Sequence, residues 1–155
     1  MITIEDIAHS LGMICRFGGH TPHLYSVGQH SLFVSNLIKS NGGSNLFRLH
    51  GLMHDASEAY IQDIIKPLKV ILGDAYGEIE GRFMAVICEK FGLDLALMER
   101  VKPFDREALE VEHRFFFSTS TKGCNVDYGP QMSMQPDVCF DCFIAVFIEL
   151  KGGES

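Results

Sequence analysis

At 155 residues with 46% hydrophobic content, the chain is long enough for one domain with a real core. Its formal charge of -7 and pI near 5.4, without a run of Lys or Arg, exclude a groove that tracks a long nucleic-acid backbone, so no nucleic-acid polymer is expected as a partner. A small anionic substrate stays open, because a metal ion and one or two cations suffice locally.

The first residues, Met1-Ile2-Thr3-Ile4-Glu5-Asp6, lack the basic-then-apolar pattern of a signal peptide, and no apolar run approaches the roughly 18 residues of a spanning helix. A cytoplasmic protein without membrane contact is expected. The spacing predicts a short helix over residues 2 to 11, with Thr3 as its cap and Glu5 and Asp6 in its first turn. Gly18, Gly19 and Pro22 then mark an irregular loop. Val27, Leu32, Val34, Leu37 and Ile38 fit a second helix that contains His30 and ends at Asn41-Gly42-Gly43. Ser44 or Asn45 can cap a third, running to about Tyr60 and apolar over most of its surface.

Pro67 predicts a turn before the next helix, and residues 75 to 91 form an amphipathic helix closed by Gly92. Residues 94 to 117 continue helical, with a break expected at Pro103. The polar stretch 118 to 135 reads as a flap or an oligomer contact. Pro136 starts a last helix that is apolar nearly all round, too short to span a bilayer, and therefore buried or packed on a second subunit. A symmetric homo-oligomer, from dimer to hexamer, is the corresponding expectation. The whole reads as a single all-α domain, a multi-helix bundle. Cys139 and Cys142 have C-x-x-C spacing but no second pair, and read as core thiols.

The chemistry gathers at His54-Asp55-Ala56-Ser57-Glu58. On a continuous helix, His54 and Glu58 share a face, while Asp55 reaches an ion from the adjacent edge. With His30 and Asp105, two imidazoles and two carboxylates make a nitrogen and oxygen set suited to a divalent transition ion. His50 lies one turn before His54, but Gly51 stands where a zinc peptidase needs its glutamate. No Walker loop is present, which argues against a kinase or a nucleotide-driven motor.

These residues resemble the HD-domain metal-dependent phosphohydrolases, whose ligand pattern is His…His-Asp…Asp. The match takes in Arg16-Phe17-Gly18-Gly19, the stretch from Tyr25 to Ser31, the stretch from Leu52 to Tyr60, Asp63-Ile64 and Pro67-Leu68-Lys69. It is nearest to the small 5′-deoxynucleotidases and phage dATP triphosphohydrolases, and covers residues 16 to about 112. The resemblance implies His30, His54, Asp55 and Asp105 as ligands of Co, Mn or Zn, with room for Mg in addition. It also implies Glu58 as the group that orients or deprotonates the attacking water, with Asp63 near the sugar or leaving oxygen. Arg16 would hold a phosphate, Phe17 would pack on base or sugar, and Gly18 would let backbone approach the ligand; Lys66, where relatives carry a small residue, would be a further phosphate contact. The implied reaction is hydrolysis of a deoxynucleotide at its 5′ phosphate ester, most simply dATP to deoxyadenosine and triphosphate, in a bacterial or phage-infected cytosol. The alternatives are a 5′-deoxynucleotidase on monophosphates and a non-catalytic nucleotide sensor.

Overall fold

The computed structural model describes residues 2–117 and 134–152. Within them the chain is all-α, and most of the 118 to 135 stretch lies outside the described residues. The helices are α1 (Ile4–Met13), α2 (Val27–Ser40), α3 (Asn45–Met53), α4 (Glu58–Ile61), α5 (Lys66–Leu72), α6 (Asp74–Phe91), α7 (Leu95–Phe117) and α8 (Pro136–Gly152), with a 3-10 turn at Arg16–Gly19.

Local chemistry sets most of these boundaries. Thr3 Oγ1 accepts from the Asp6 N–H at 3.1 Å. Ser26 and Gln29 form a reciprocal capping box at the start of α2. Ser44 Oγ accepts from Phe47 N–H, and Gly92 closes α6 in the left-handed conformation that costs glycine little.

Two expectations are corrected. The helix expected from residue 45 to about 60 stops at Met53, and residues 54 to 57 form turns before α4 begins. The reason lies in the tighter i to i+3 bonds there: Ala56 N–H donates to Met53 O, and Glu58 N–H donates to Asp55 O. His54 and Glu58 therefore do not share one helical face. The break expected at Pro103 does not occur either, and Pro103 lies inside α7. There it removes one donor from the ladder without ending it.

α2 and α3 lie at the centre, α8 covers α1 and α3, and α7 crosses α2 and α3. One core joins Ile7, Leu11, Val27, Leu49, Leu52, Ile87, Cys139 and Phe143; a smaller one joins Val34 and Ile38 to Val101 and Ala108. Each fully buried Leu or Ile contributes roughly 1.5–3 kcal/mol of transfer free energy. Cys139 is a buried thiol beside Ser26, as a core reading requires. The last helix buries Cys139, Phe143 and Leu150, whereas α5 buries nothing and leaves Val70 and Ile71 exposed at 73% and 80%. No described helix is long and apolar enough to cross a membrane.

Close approach of α2 to α3 depends on Gly51. A Cβ there would stand 2.5 Å from Ile38 Cδ1 and 3.4 Å from Ser35 Cα, and Ile38 is itself fully buried. Gly51→Val is therefore expected to cost roughly 1–3 kcal/mol through overpacking. Urea denaturation at wild-type stability would contradict this.

Candidate metal centre

His30, from the first turns of α2, is fully buried and presents Nε2 3.0 Å from Asp105 Oδ1 of α7. His54 caps the C-terminal end of α3. Its Nδ1–H donates to the carbonyl of Gly51 at 2.8 Å, which leaves Nε2 as the nitrogen aimed into the same space. Asp55 Oδ2 lies 3.2 Å from His54 Nε2 and 3.6 Å from His30 Nε2. The ligating atoms of His30, His54 and Asp105 all lie within 4.8 Å of one another.

The residues fit a metal. Ligand atoms about 2.0–2.2 Å from one ion stand about 3 Å or a little more apart, which matches these separations. His54 Nε2 is buried without an aligned hydrogen-bond partner, an orphan that an ion would satisfy. The donor set, two imidazole nitrogens and two carboxylates, suits a divalent transition ion.

Charges confirm how tightly the groups interact. Burial opposes charge on His54, but Asp55 and Asp105 outweigh it and hold the imidazole well above its ordinary range. Asp55 is held far below the carboxylate range: burial opposes this, and His54 and His30 overcome it. Asp105 is held down in the same way, against burial, by hydrogen bonds with His30 and His54. An ion must displace the proton that His54 carries. The rise in melting temperature on adding Mn²⁺ is therefore expected to grow with pH from the ordinary imidazole value of 6.5 upward. A rise independent of pH would count against His54 as a ligand.

Around this centre lie two clefts that share Asp55, Lys69 and Asp105. The first, about 660 Å³, is lined by Arg16, Phe17, Glu58, Asp63, Lys66 and Phe117, among others. The second, about 630 Å³, runs past Gly77, Glu80, Gly81, Met84, Leu95 and Met98.

Arg16 reaches the first cleft because the chain doubles back there. Arg16 N–H donates to Tyr25 O and Val27 N–H to Ile14 O, with an isolated bridge between Cys15 and Ser26. Its buried guanidinium pairs with Glu112 at 3.1 Å and stands 3.8 Å from Asp55, while Nε has no partner. Phe17 follows at φ 55, a left-handed conformation rare outside glycine and found where a site over-determines the backbone. Its ring packs edge-on against Phe117 with the Arg16 guanidinium 5.4 Å above it. Gly18 does not line the cleft; it continues the left-handed stretch at φ 60.

Glu58 is buried, with Oε1 3.5 Å from Lys69 Nζ and Oε2 unpartnered. Burial and the nearby Asp55 and Asp63 push its carboxyl up to about 9, against the pull of Lys69 and Arg16. Asp63 lines the first cleft half-buried; burial raises it, and Arg16 partly offsets that. Lys66 lines the cleft from an exposed position at the start of α5. Lys69, one turn further on, carries the contacts: it bridges Glu58 and Glu80 and lies 5.1 Å over the Tyr76 ring. His50 is structural, donating through Nδ1 to Leu46 O and accepting from Asp94 N–H at Nε2.

Sequence reasoning missed Glu112. It lies seven residues after Asp105, only about 20° round the helix from it, which was the available signal. It is fully buried and accepts from His30 Nδ1 at 2.6 Å, Tyr25 OH at 2.7 Å and Arg16 Nη2 at 3.1 Å. Despite burial, its carboxyl is held below its ordinary value, by His30 and then Arg16.

No protein-family model matches the chain. It is 47% identical over 113 residues to YfdR, an uncharacterized protein of Escherichia coli K12, an alignment covering 73% of this chain and 60% of that protein. It is also 40% identical over 105 residues to an uncharacterized protein of Rhodobacter capsulatus, covering 65% and 54% respectively. The chain thus spans somewhat over half the length of the curated relatives it matches.

Proposed function

We propose that this chain is an HD-type metal-dependent phosphohydrolase acting on a deoxyribonucleotide at its 5′ phosphate ester. The observation that carries the reading is the convergence of His30, His54, Asp55 and Asp105 where two clefts meet. A bound divalent ion would lower the pKa of water and neutralise phosphoryl oxygens there.

The chain's own residues supply the rest. Glu58, beside the ligand cluster, accepts the proton of the attacking water in its ionised form, which Lys69 and a bound cation would favour against burial. The water attacks the phosphorus nearest the sugar, the bond to the 5′ oxygen breaks, and that oxygen leaves as a hydroxyl. Asp63, raised by its surroundings, is suited to hand over the proton. Arg16 offers its free Nε to a phosphate oxygen, and Lys66 stands at the rim for an outer one. Phe17 supplies an aromatic wall for sugar or base.

The cations Arg16, Lys66 and Lys69 that line the first cleft favour a substrate with several phosphates, as in dATP, where a nucleoside and a triphosphate separate. The test is product analysis with dATP and dAMP in the presence of Co²⁺ or Mn²⁺. Triphosphate and deoxyadenosine from dATP are expected. Phosphate released only from dAMP would replace this reading with a 5′-deoxynucleotidase, and inactivity with every metal would point to a nucleotide sensor.

A further inference from the structure

We infer that Glu112 is a positioning residue that sets both the metal-facing nitrogen of His30 and the phosphate-facing edge of Arg16. The inference rests on the metal-site reading above. One oxygen of Glu112 accepts from His30 Nδ1 and Tyr25 OH; the other accepts from Arg16 Nη2. The carboxylate is fully buried, so no solvent molecule competes for these positions.

Holding the proton on Nδ1 leaves His30 Nε2 as the nitrogen that faces Asp105 and His54, the arrangement by which an outer carboxylate orients a metal-bound imidazole. Holding Nη2 leaves Nη1 3.8 Å from Asp55 and Nε without a protein partner, on a side chain that lines the first cleft. Both effects come from one side chain on α7, seven residues from Asp105 on the same face. Glu112 thus ties the geometry of a ligand to that of the phosphate contact. It touches neither ion nor substrate.

Glutamine at this position keeps the shape but has only one acceptor oxygen. Its amide N–H₂ must then oppose a donor, either Arg16 or the His30 and Tyr25 pair. The experiment compares full-length wild type, Glu112→Gln and Tyr25→Phe. It reads Mn²⁺ affinity by titration calorimetry and the affinity of inorganic triphosphate for the Mn²⁺-loaded protein. Glu112→Gln is expected to weaken Mn²⁺ binding by about 10–100-fold and to weaken triphosphate binding as well. Tyr25→Phe, which leaves His30 and Arg16 their bonds, loses much less.

Wild-type affinities in a folded Glu112→Gln protein would overturn the inference, and a loss confined to Mn²⁺ would overturn its Arg16 half. Should the variant fail to fold, ¹⁵N spectra of the wild-type imidazoles with Zn²⁺ bound decide. A proton on Nδ1 of His30 is expected, and a proton on Nε2 overturns the inference. Wild type that takes up no divalent metal would instead overturn the metal reading beneath it.

Discussion

Glu58→Gln is expected to lower kcat for dATP hydrolysis by about 10²–10⁴-fold while leaving Mn²⁺ affinity close to wild type. Glu58 lies beside the ligand cluster, and its contact there is with Lys69, so its loss removes a proton acceptor and not a ligand. A variant that keeps kcat within about tenfold of wild type would remove Glu58 from the mechanism. The same substitution has a second expected result, of opposite sign, on stability. Without metal, the folded protein holds a proton on Glu58 up to about 9, whereas the ordinary value is 4.5. Between those values the folded state binds more protons than the unfolded state, so this group lowers stability progressively as pH rises. Glutamine removes that loss. The stability advantage of Glu58→Gln over wild type in chelator should therefore grow from about pH 5.5 to 8.5. An unchanged difference would mean that Glu58 is ionised in the folded protein. A side chain that costs stability where it stands is expected at a site built for chemistry.

Arg16→Ala should destabilise the fold by roughly 3–5 kcal/mol, towards the lower end because Glu112 keeps His30 and Tyr25 as partners. The loss arises because Glu112 is fully buried and Arg16 nearly so, leaving a carboxylate short of one donor where water cannot replace it. Arg16→Lys restores a charge but not the planar fork, so it should recover part of the stability and little of the phosphate affinity. Chemical denaturation and KM for dATP separate the two effects. Wild-type stability for Arg16→Ala would show that the pair with Glu112 contributes nothing net.

Helix positions were legible because they rest on local chemistry: Thr3, Ser44, Gly92 and Pro136 each mark an end that the structure contains. The turn at residues 54 to 57 was not, since His-Asp-Ala-Ser is compatible with a continuing helix. Packing, and the His54 hydrogen bond to Gly51, decide it. His30, His54, Asp55 and Asp105 could be named from the spacing of a known pattern, and the folded chain gathers all four. Glu112 left only its seven-residue spacing from Asp105 as a trace, and the bonds it makes with Tyr25 and His30 exist only where α7 crosses α2. Between Lys66 and Lys69, the direction in which α5 leaves its turn decides, and sequence does not carry that direction.

Exposure rises in order across the four candidate ligands: His30 0%, His54 9%, Asp55 21% and Asp105 38% of the side chain. The nitrogens close the bottom of the site and the carboxylates form its mouth. Pro103 removes a backbone bond from α7 two residues before Asp105, the most accessible of the four. An ion exchanging with solvent would then pass Asp105 last. Its residence time would report on the local stiffness of α7, even where its equilibrium affinity, dominated by the buried imidazoles, does not.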